Sequence, residues 1–207
     1  MPVHIETFRA PLTSELSRVM HSERKRVFHD TMRWDVALVD GIYEVDEFDT
    51  EHALYFIRTG DDGEHLGSFR LLPSTRPHMV SDVFPHLCDA EWPAGTNTWE
   101  ITRACVTPGV RANERLRIRN TLISACVDFA LANGIDTYTC VVSAGWLAQV
   151  LAMGWVVEPL GLPRHVDGVL TAALRITIDR TTPKRLTLNG IYAPSQLVAA
   201  PTRSLAA

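Results

Sequence analysis

No stretch of this 207-residue chain approaches the roughly 20 consecutive apolar residues that a membrane-spanning helix needs, so no membrane partner is expected. The opening Met1-Pro2-Val3-His4-Ile5-Glu6 lacks the basic-then-apolar order of a secretory leader, and a cytoplasmic location is expected. Cys88, Cys105, Cys126 and Cys140 lie far apart with no C-x-x-C pair. Reduced core thiols are therefore expected. The 8 histidines show no ligand spacing, so no metal is expected. Basic excess is missing too: the net charge of -4 gives no reason to expect a nucleic-acid partner. There is no internal repeat.

What remains is an ordinary soluble composition, 46% hydrophobic and 21% charged, at a length that supports one domain with a substantial core. Residues 15–28 have helical character with Leu16, Val19, Met20 and Val27 on one side, and Ser14 is placed to cap them. Residues 36–49 read as an irregular loop. Two alternating runs, 53–59 and 65–72, flank Gly60-Asp61-Asp62-Gly63 and predict a hairpin. Residues 80–85 suit a short helix. A strand is expected at 98–106, an amphipathic helix at 115–133 stopped by Gly134, and a strand at 137–142. A short helix at 145–153 and strands at 156–160 and 170–178 follow. The order predicts an α/β sandwich with a mixed sheet, the strands of 98–142 being parallel across a right-handed crossover. One domain over 1–190 is expected, with a poorly ordered Ala/Pro/Ser-rich tail at 191–207.

Eight residues need a further reason: Arg24, Phe28, Trp34, Asp46, Asp49, Arg70, Glu100 and Arg103. Several stand in or beside apolar runs such as Trp99-Glu100-Ile101-Thr102-Arg103-Ala104-Cys105-Val106, where a charge costs several kcal/mol unless it is paired or used. Their order and spacing, Arg24-x3-Phe28-x5-Trp34, Asp46-Glu47-Phe48-Asp49, Arg70 in Gly67-Ser68-Phe69-Arg70, and Glu100-Ile101-Thr102-Arg103, resemble the LuxI-type acyl-homoserine lactone synthases over about residues 1–180. Val83-Phe84-Pro85 and residues 138–143 add to the resemblance.

The resemblance implies a GNAT-like α/β/α sandwich with a central mixed, mostly antiparallel, splayed sheet. It implies a reaction between S-adenosylmethionine (SAM), a substrate rather than a cofactor, and an acyl group carried as a thioester on acyl carrier protein (acyl-ACP) or coenzyme A (acyl-CoA). The SAM amine forms an amide, the methionyl carboxylate closes a lactone, and methylthioadenosine leaves. By resemblance Arg24, Phe28 and Trp34 form the SAM-facing wall, and Asp46, Asp49 and Arg70 the ion-pair network behind it. Arg103 takes the SAM carboxylate, and Glu100, with Asp46 as second candidate, accepts the proton. Residues three apart in a regular strand face opposite ways, so Glu100 and Arg103 reach one site only if the strand bulges or the sheet splays near 101–103, and a bulge is expected there.

Thr102, Tyr138, Val141, Ser143, Trp146, Leu147 and Leu151 are candidates to line the acyl pocket. The segment after the strand lacks the Gly-rich phosphate loop of CoA-dependent GNAT enzymes but carries Arg111, Arg115, Arg117 and Arg119, four arginines within nine residues. Positive charge opposes the dipole at a helix N-terminus, so docking of an acidic carrier or of CoA phosphates is expected there. A monomer is expected. A CoA-dependent GNAT N-acyltransferase and a non-catalytic GNAT-like ligand-binding protein are the alternatives, disfavoured by the missing loop and by the complete charged set.

Overall fold

The computed structural model describes residues 3–6, 8, 11–193 and 197–199. The strands are β1 (Val3–Glu6), β2 (Leu38–Val39), β3 (Tyr43–Glu44), β4 (Leu54–Thr59), β5 (His65–Pro73), β6 (Thr98–Val106), β7 (Thr137–Ser143), β8 (Val156–Pro159), β9 (Arg164–Val166), β10 (Val169–Thr177) and β11 (Leu197–Ala199). The α-helices are α1 (Glu15–Lys25), α2 (Ala112–Asn133), α3 (Ala144–Ala152) and α4 (Thr182–Leu188). The architecture is a mixed sheet with flanking helices, as the sequence predicts. Among the described residues no helix is long and apolar enough to cross a membrane. All four cysteines are unbridged, with Cys105, Cys126 and Cys140 buried and Cys88 half-buried.

The chain divides into two compact units, each assembled from separated segments. The first comprises Met1–Arg70, Arg103–Ala125 and Ser195–Ala207, the second Leu71–Thr102 and Cys126–Pro194. The expected tail at 191–207 lies outside the described residues apart from 191–193 and β11, which pairs parallel with β1.

In the first unit β1 runs antiparallel to β4, and β4 neighbours β5 across the Gly60–Gly63 turn, where the Gly60 amide donates to the Glu64 carbonyl at 2.9 Å. Phe56 and Phe69 stack across the two strands, centroids 4.5 Å apart. Gly67 is required by closeness: a Cβ there would meet Ile118 Cγ2 at 2.8 Å and the Cys105 carbonyl at 3.0 Å. Helix α1 begins as predicted, the Ser14 hydroxyl accepting from the Ser17 amide. Of its predicted side only Met20 is buried. Ser17, Met20, His21 and Arg24 face inward, whereas Leu16, Val19 and Val27 stay half-exposed. Hydrophobic periodicity misjudges this helix because its inner stripe is mostly polar, with His21 and Arg24 held by partners on other elements.

In the second unit the Thr98–Ile101 stretch of β6 pairs parallel with β7, as the crossover predicts. Strand β7 pairs antiparallel with β10, and β10 in turn pairs antiparallel with β8 and β9. Tyr138, Leu174 and Ile176 are fully or almost fully buried. The short helix expected at 80–85 is a π-helical turn, Met79–Val83, followed by a 3-10 turn, Pro85–Leu87.

Strand β6 carries the irregularity expected of it. Burial alternates on Thr98, Glu100 and Thr102, then shifts phase to Cys105. Arg103 between them adopts φ +51°, the left-handed conformation found at bulges. The ladder to β7 ends at Ile101. Arg103 is thereby released from the two-residue alternation that would oppose it to Glu100.

Candidate active site

Within the first unit the structure brings five of the predicted residues into one balanced charge network. Arg24, on the inner stripe of α1, donates from Nη1 and Nη2 to Oδ1 and Oδ2 of Asp49 at 2.8 and 2.9 Å, a bidentate pair. Its Nε donates to Glu44 Oε2 at 2.5 Å. Arg70 on β5 reaches Asp49 Oδ1 at 2.7 Å and grips Asp46 through two bonds of 2.6 and 3.0 Å. Arg103 donates from Nε to Glu44 Oε1 at 3.0 Å and lies 2.8 Å from Asp46 Oδ2. The guanidiniums of Arg24, Arg70 and Arg103 thus face the carboxylates of Glu44, Asp46 and Asp49, with no net charge left over.

Burial by itself would push these carboxyls toward the neutral form, but the guanidiniums outweigh it. Asp49 is held well below the usual carboxylate range by Arg24 and Arg70, and Asp46 is held below it by its bonds to Arg70. Tyr55 donates to Asp49 Oδ1 at 2.8 Å, and burial together with that negative charge raises its phenol. Burial first, and then the charge of Arg24, lowers the His21 imidazole, its Nδ1 lying 2.7 Å from the Glu44 carbonyl.

Glu44, Tyr55 and His21 were missed by sequence reasoning, and the first of these had a readable signal. Residues 36–49 are not an irregular loop: β2 and β3 form a hairpin over Asp40-Gly41, both at positive φ (+53° and +68°), with the Ile42 amide on the Val39 carbonyl at 3.0 Å. Asp-Gly between short extended runs is the signature of such a turn. The hairpin places Glu44, fully buried, beside α1. The Asp46–Asp49 turn is then closed by its own acids, Asp49 Oδ2 accepting from the Asp46 amide and Asp46 Oδ1 from the Phe48 amide, each at 2.9 Å.

The aromatic wall adjoins the network. After α1 the chain widens into a π-helical turn, Arg26–Thr31, and the Trp34 amide closes on the Phe28 carbonyl at 2.9 Å. The rings of Phe28 and Trp34 stack at 5.2 Å and 21°. Phe28 is buried, while Trp34 is 37% exposed, so the stack has one open side. The Arg103 guanidinium sits 5.6 Å from the Phe28 centroid.

Glu100 is placed in the second unit, buried completely, with Oε2 accepting from the Met79 amide at 2.6 Å and Oε1 from the Val80 amide at 3.0 Å. The predicted acyl-pocket residues do not all gather. Tyr138 points into the core on the α2 side of β7, its hydroxyl donating to the Cys126 carbonyl at 3.0 Å. Val141 and Ser143, an odd number of residues along β7, face the other way and lie on the face of Thr102 and Glu100. Tyr138 thus faces the core, on the side of β7 opposite to Val141 and Ser143. Trp146 and Leu147 are half-buried on α3, and Leu151 at 51% exposed is largely turned to solvent. The helix expected at 115–133 starts earlier, at Ala112, and Arg111, Arg115 and Arg117 are exposed there. Arg119 is half-buried and donates to the Asn120 amide oxygen at 2.9 Å.

Comparison with known proteins agrees with this geometry. The family described as autoinducer synthase matches residues 11–186. The isovaleryl-homoserine lactone synthase of Bradyrhizobium diazoefficiens is 32% identical over 160 residues, covering 77% of this chain and 71% of that protein. The acyl-homoserine-lactone synthase of Rhizobium etli is 31% identical over 174 residues, 82% of each chain. Among solved structures, the CoA-dependent acyl-homoserine lactone synthase BjaI with SAM and isopentyl-CoA superposes with a TM-score of 0.85 at 29% identity, over 99% of this chain and 95% of that one. An N-acetyltransferase described as putative, from Lactobacillus plantarum, at TM-score 0.56 and 14% identity, shares the fold alone. The chain belongs to the LuxI-type autoinducer synthase family and is an acyl-homoserine-lactone synthase.

Proposed function

We propose that SAM binds against the Phe28–Trp34 stack with its carboxylate on Arg103, and that its amine takes an acyl group from a coenzyme A thioester. The observation that carries this reading is the position of Arg103: its guanidinium is fixed from one side by Glu44 and Asp46 and set beside an aromatic pair that is open on one side. A methionyl carboxylate, a sulfonium and an adenine ask for such a set, namely a guanidinium, π-faces and nearby acids. Asp46 and Asp49 are held too acidic to accept a proton readily and serve to fix the arginines. The α-ammonium has an ordinary pKa near 8, so a useful fraction is neutral at working pH without a strong base. After amide formation, sulfonium departure drives lactone closure once SAM is folded for it.

Coenzyme A is favoured over acyl carrier protein by the likeness to two CoA-dependent synthases, BjaI at TM-score 0.85 and MesI at 0.78. Arg111, Arg115 and Arg117, exposed at the start of α2, supply positive charge for the carrier's phosphates. The enzyme acts as a monomeric synthase domain over about 1–190 in the cytoplasm, with SAM as substrate and without nucleic acid or membrane as partner. Incubation with SAM and a panel of acyl-CoA and acyl-ACP donors, isovaleryl-CoA included, tests the reading by mass spectrometry. Lactone and methylthioadenosine in equal amounts are expected with CoA donors. Turnover with acyl-ACP alone would reassign the carrier, and no methylthioadenosine with any donor would end the SAM assignment.

A further inference from the structure

Glu100 is a completely buried carboxylate whose two oxygens each accept a main-chain N–H, from Met79 at 2.6 Å and Val80 at 3.0 Å. These amides open the π-helical turn Met79–Val83, so the side chain of a sheet residue caps a turn twenty residues away in sequence. The turn is tied at the same end by His78, whose amide donates to Ser81 Oγ at 3.2 Å and Asp82 Oδ2 at 3.1 Å. In the parallel ladder Glu100 stands opposite Thr139, so the turn lies on the sheet face that also carries Thr102, Val141 and Ser143. Thr139 is fully buried on this face and its hydroxyl has no partner.

A general base has to take up a proton and release it in every turnover. Protonating Glu100 would weaken two charge-assisted bonds and set a carboxylic O–H against a buried N–H donor. We propose that Glu100 is a positioning residue for acyl-donor selection: it pins the turn Met79–Val83 over the Thr102–Val141–Ser143 face and so sets which acyl chains that face accepts. The proton of the SAM ammonium then passes to solvent, and the rate follows the titration of the substrate amine. This inference rests on the synthase reading above, which wild-type lactone formation tests separately.

Two variants separate positioning from base catalysis. Glu100→Gln keeps one acceptor but turns an amide N–H toward a main-chain donor. Met79→Pro leaves the carboxylate intact and deletes one of the amides it holds, at the first position of a helical turn, where proline is tolerated after an extended residue such as His78 (φ -149°, ψ 170°). Melting temperature confirms folding of each. Steady-state kinetics with acyl-CoA donors of graded length then give kcat, donor KM and the pH profile. Both variants are expected to raise donor KM about tenfold and to change the ratio of kcat/KM between short and long chains, with the acidic limb of kcat unmoved. Loss of kcat by Glu100→Gln for all donors alike, with that limb abolished and Met79→Pro indistinguishable from wild type, would overturn the inference. Unchanged selectivity in Met79→Pro would do so as well, even if Glu100→Gln failed to fold.

Discussion

Two sets of arginines in the first unit show what the same side chain does in opposite surroundings. Arg24 and Arg70 are 1% and 0% exposed, and every carboxylate around them is shared with another arginine. Arg111, Arg115 and Arg117 stand in water at the start of α2. The buried pair is held by geometry: bidentate bonds, a closed Asp46–Asp49 turn and a hairpin that delivers Glu44. Among the described residues the side chains of the exposed set show no comparable hold. Buried guanidiniums here organise a site, and exposed ones present charge.

The contrast is broken most severely from inside the network. Asp49→Asn removes the charge that faces both Arg24 and Arg70, leaving buried guanidinium charge uncompensated. Urea unfolding is expected to show a loss of about 3–5 kcal/mol, with lactone synthesis abolished. A loss below about 1 kcal/mol would mean the network does little to hold the fold.

A smaller effect comes from a third way of burying a polar group. His65 sits between Thr107 Oγ1 at 3.0 Å and Ser68 Oγ at 2.9 Å, and burial pushes its imidazole down to about 4. The unfolded chain titrates at the ordinary value near 6.5, so between these values the unfolded state binds more protons and stability falls as pH falls. Denaturant unfolding from pH 7 to pH 4 is expected to lose about 3 kcal/mol through His65. His65→Gln is expected to flatten that part of the curve. Asp46 and Asp49, held below the ordinary carboxylate range, give way only at lower pH. An unchanged pH profile in the His65 variant would assign the acid sensitivity elsewhere.

At the edge of the network Arg103→Lys keeps the charge but loses the planar fork that spans Glu44 and Asp46. SAM KM is expected to rise about tenfold at nearly constant melting temperature. Least costly to the fold is Arg115→Ala on the exposed set, within about 0.5 kcal/mol in stability. Its signature is kinetic: donor kcat/KM falls, and the dependence of that constant on salt becomes shallower. A salt slope equal to wild type would remove Arg115 from docking.

The sequence carried more of the site than of its surroundings. The strand at 98–106, the hairpin turn at 60–63 and the Ser14 cap are local features set by alternation, turn residues and capping chemistry, and each was legible. So was an irregularity near 101–103, since residues three apart point to opposite sides of a regular strand and Arg103 takes φ +51°. The inner face of α1 was not legible, since burying His21 and Arg24 is favourable only once Glu44 and Asp49 arrive to pair with them. The face taken by Tyr138 was not legible for a related reason. An alternating strand offers two faces, and only packing against Cys126 decides which one a given side chain takes.

By itself, then, the sequence determined the longer elements, the family and the charged set, because those follow from short-range periodicity and from the spacing of residues that are costly to keep. Tertiary structure alone decided the pairing. It brought Glu44 to Arg24 and Arg103, and it gave both oxygens of Glu100 to the Met79–Val83 turn. Coulomb and hydrogen-bond partners act through distance in space, and no spacing along the chain encodes that distance when the partners lie twenty or more residues apart.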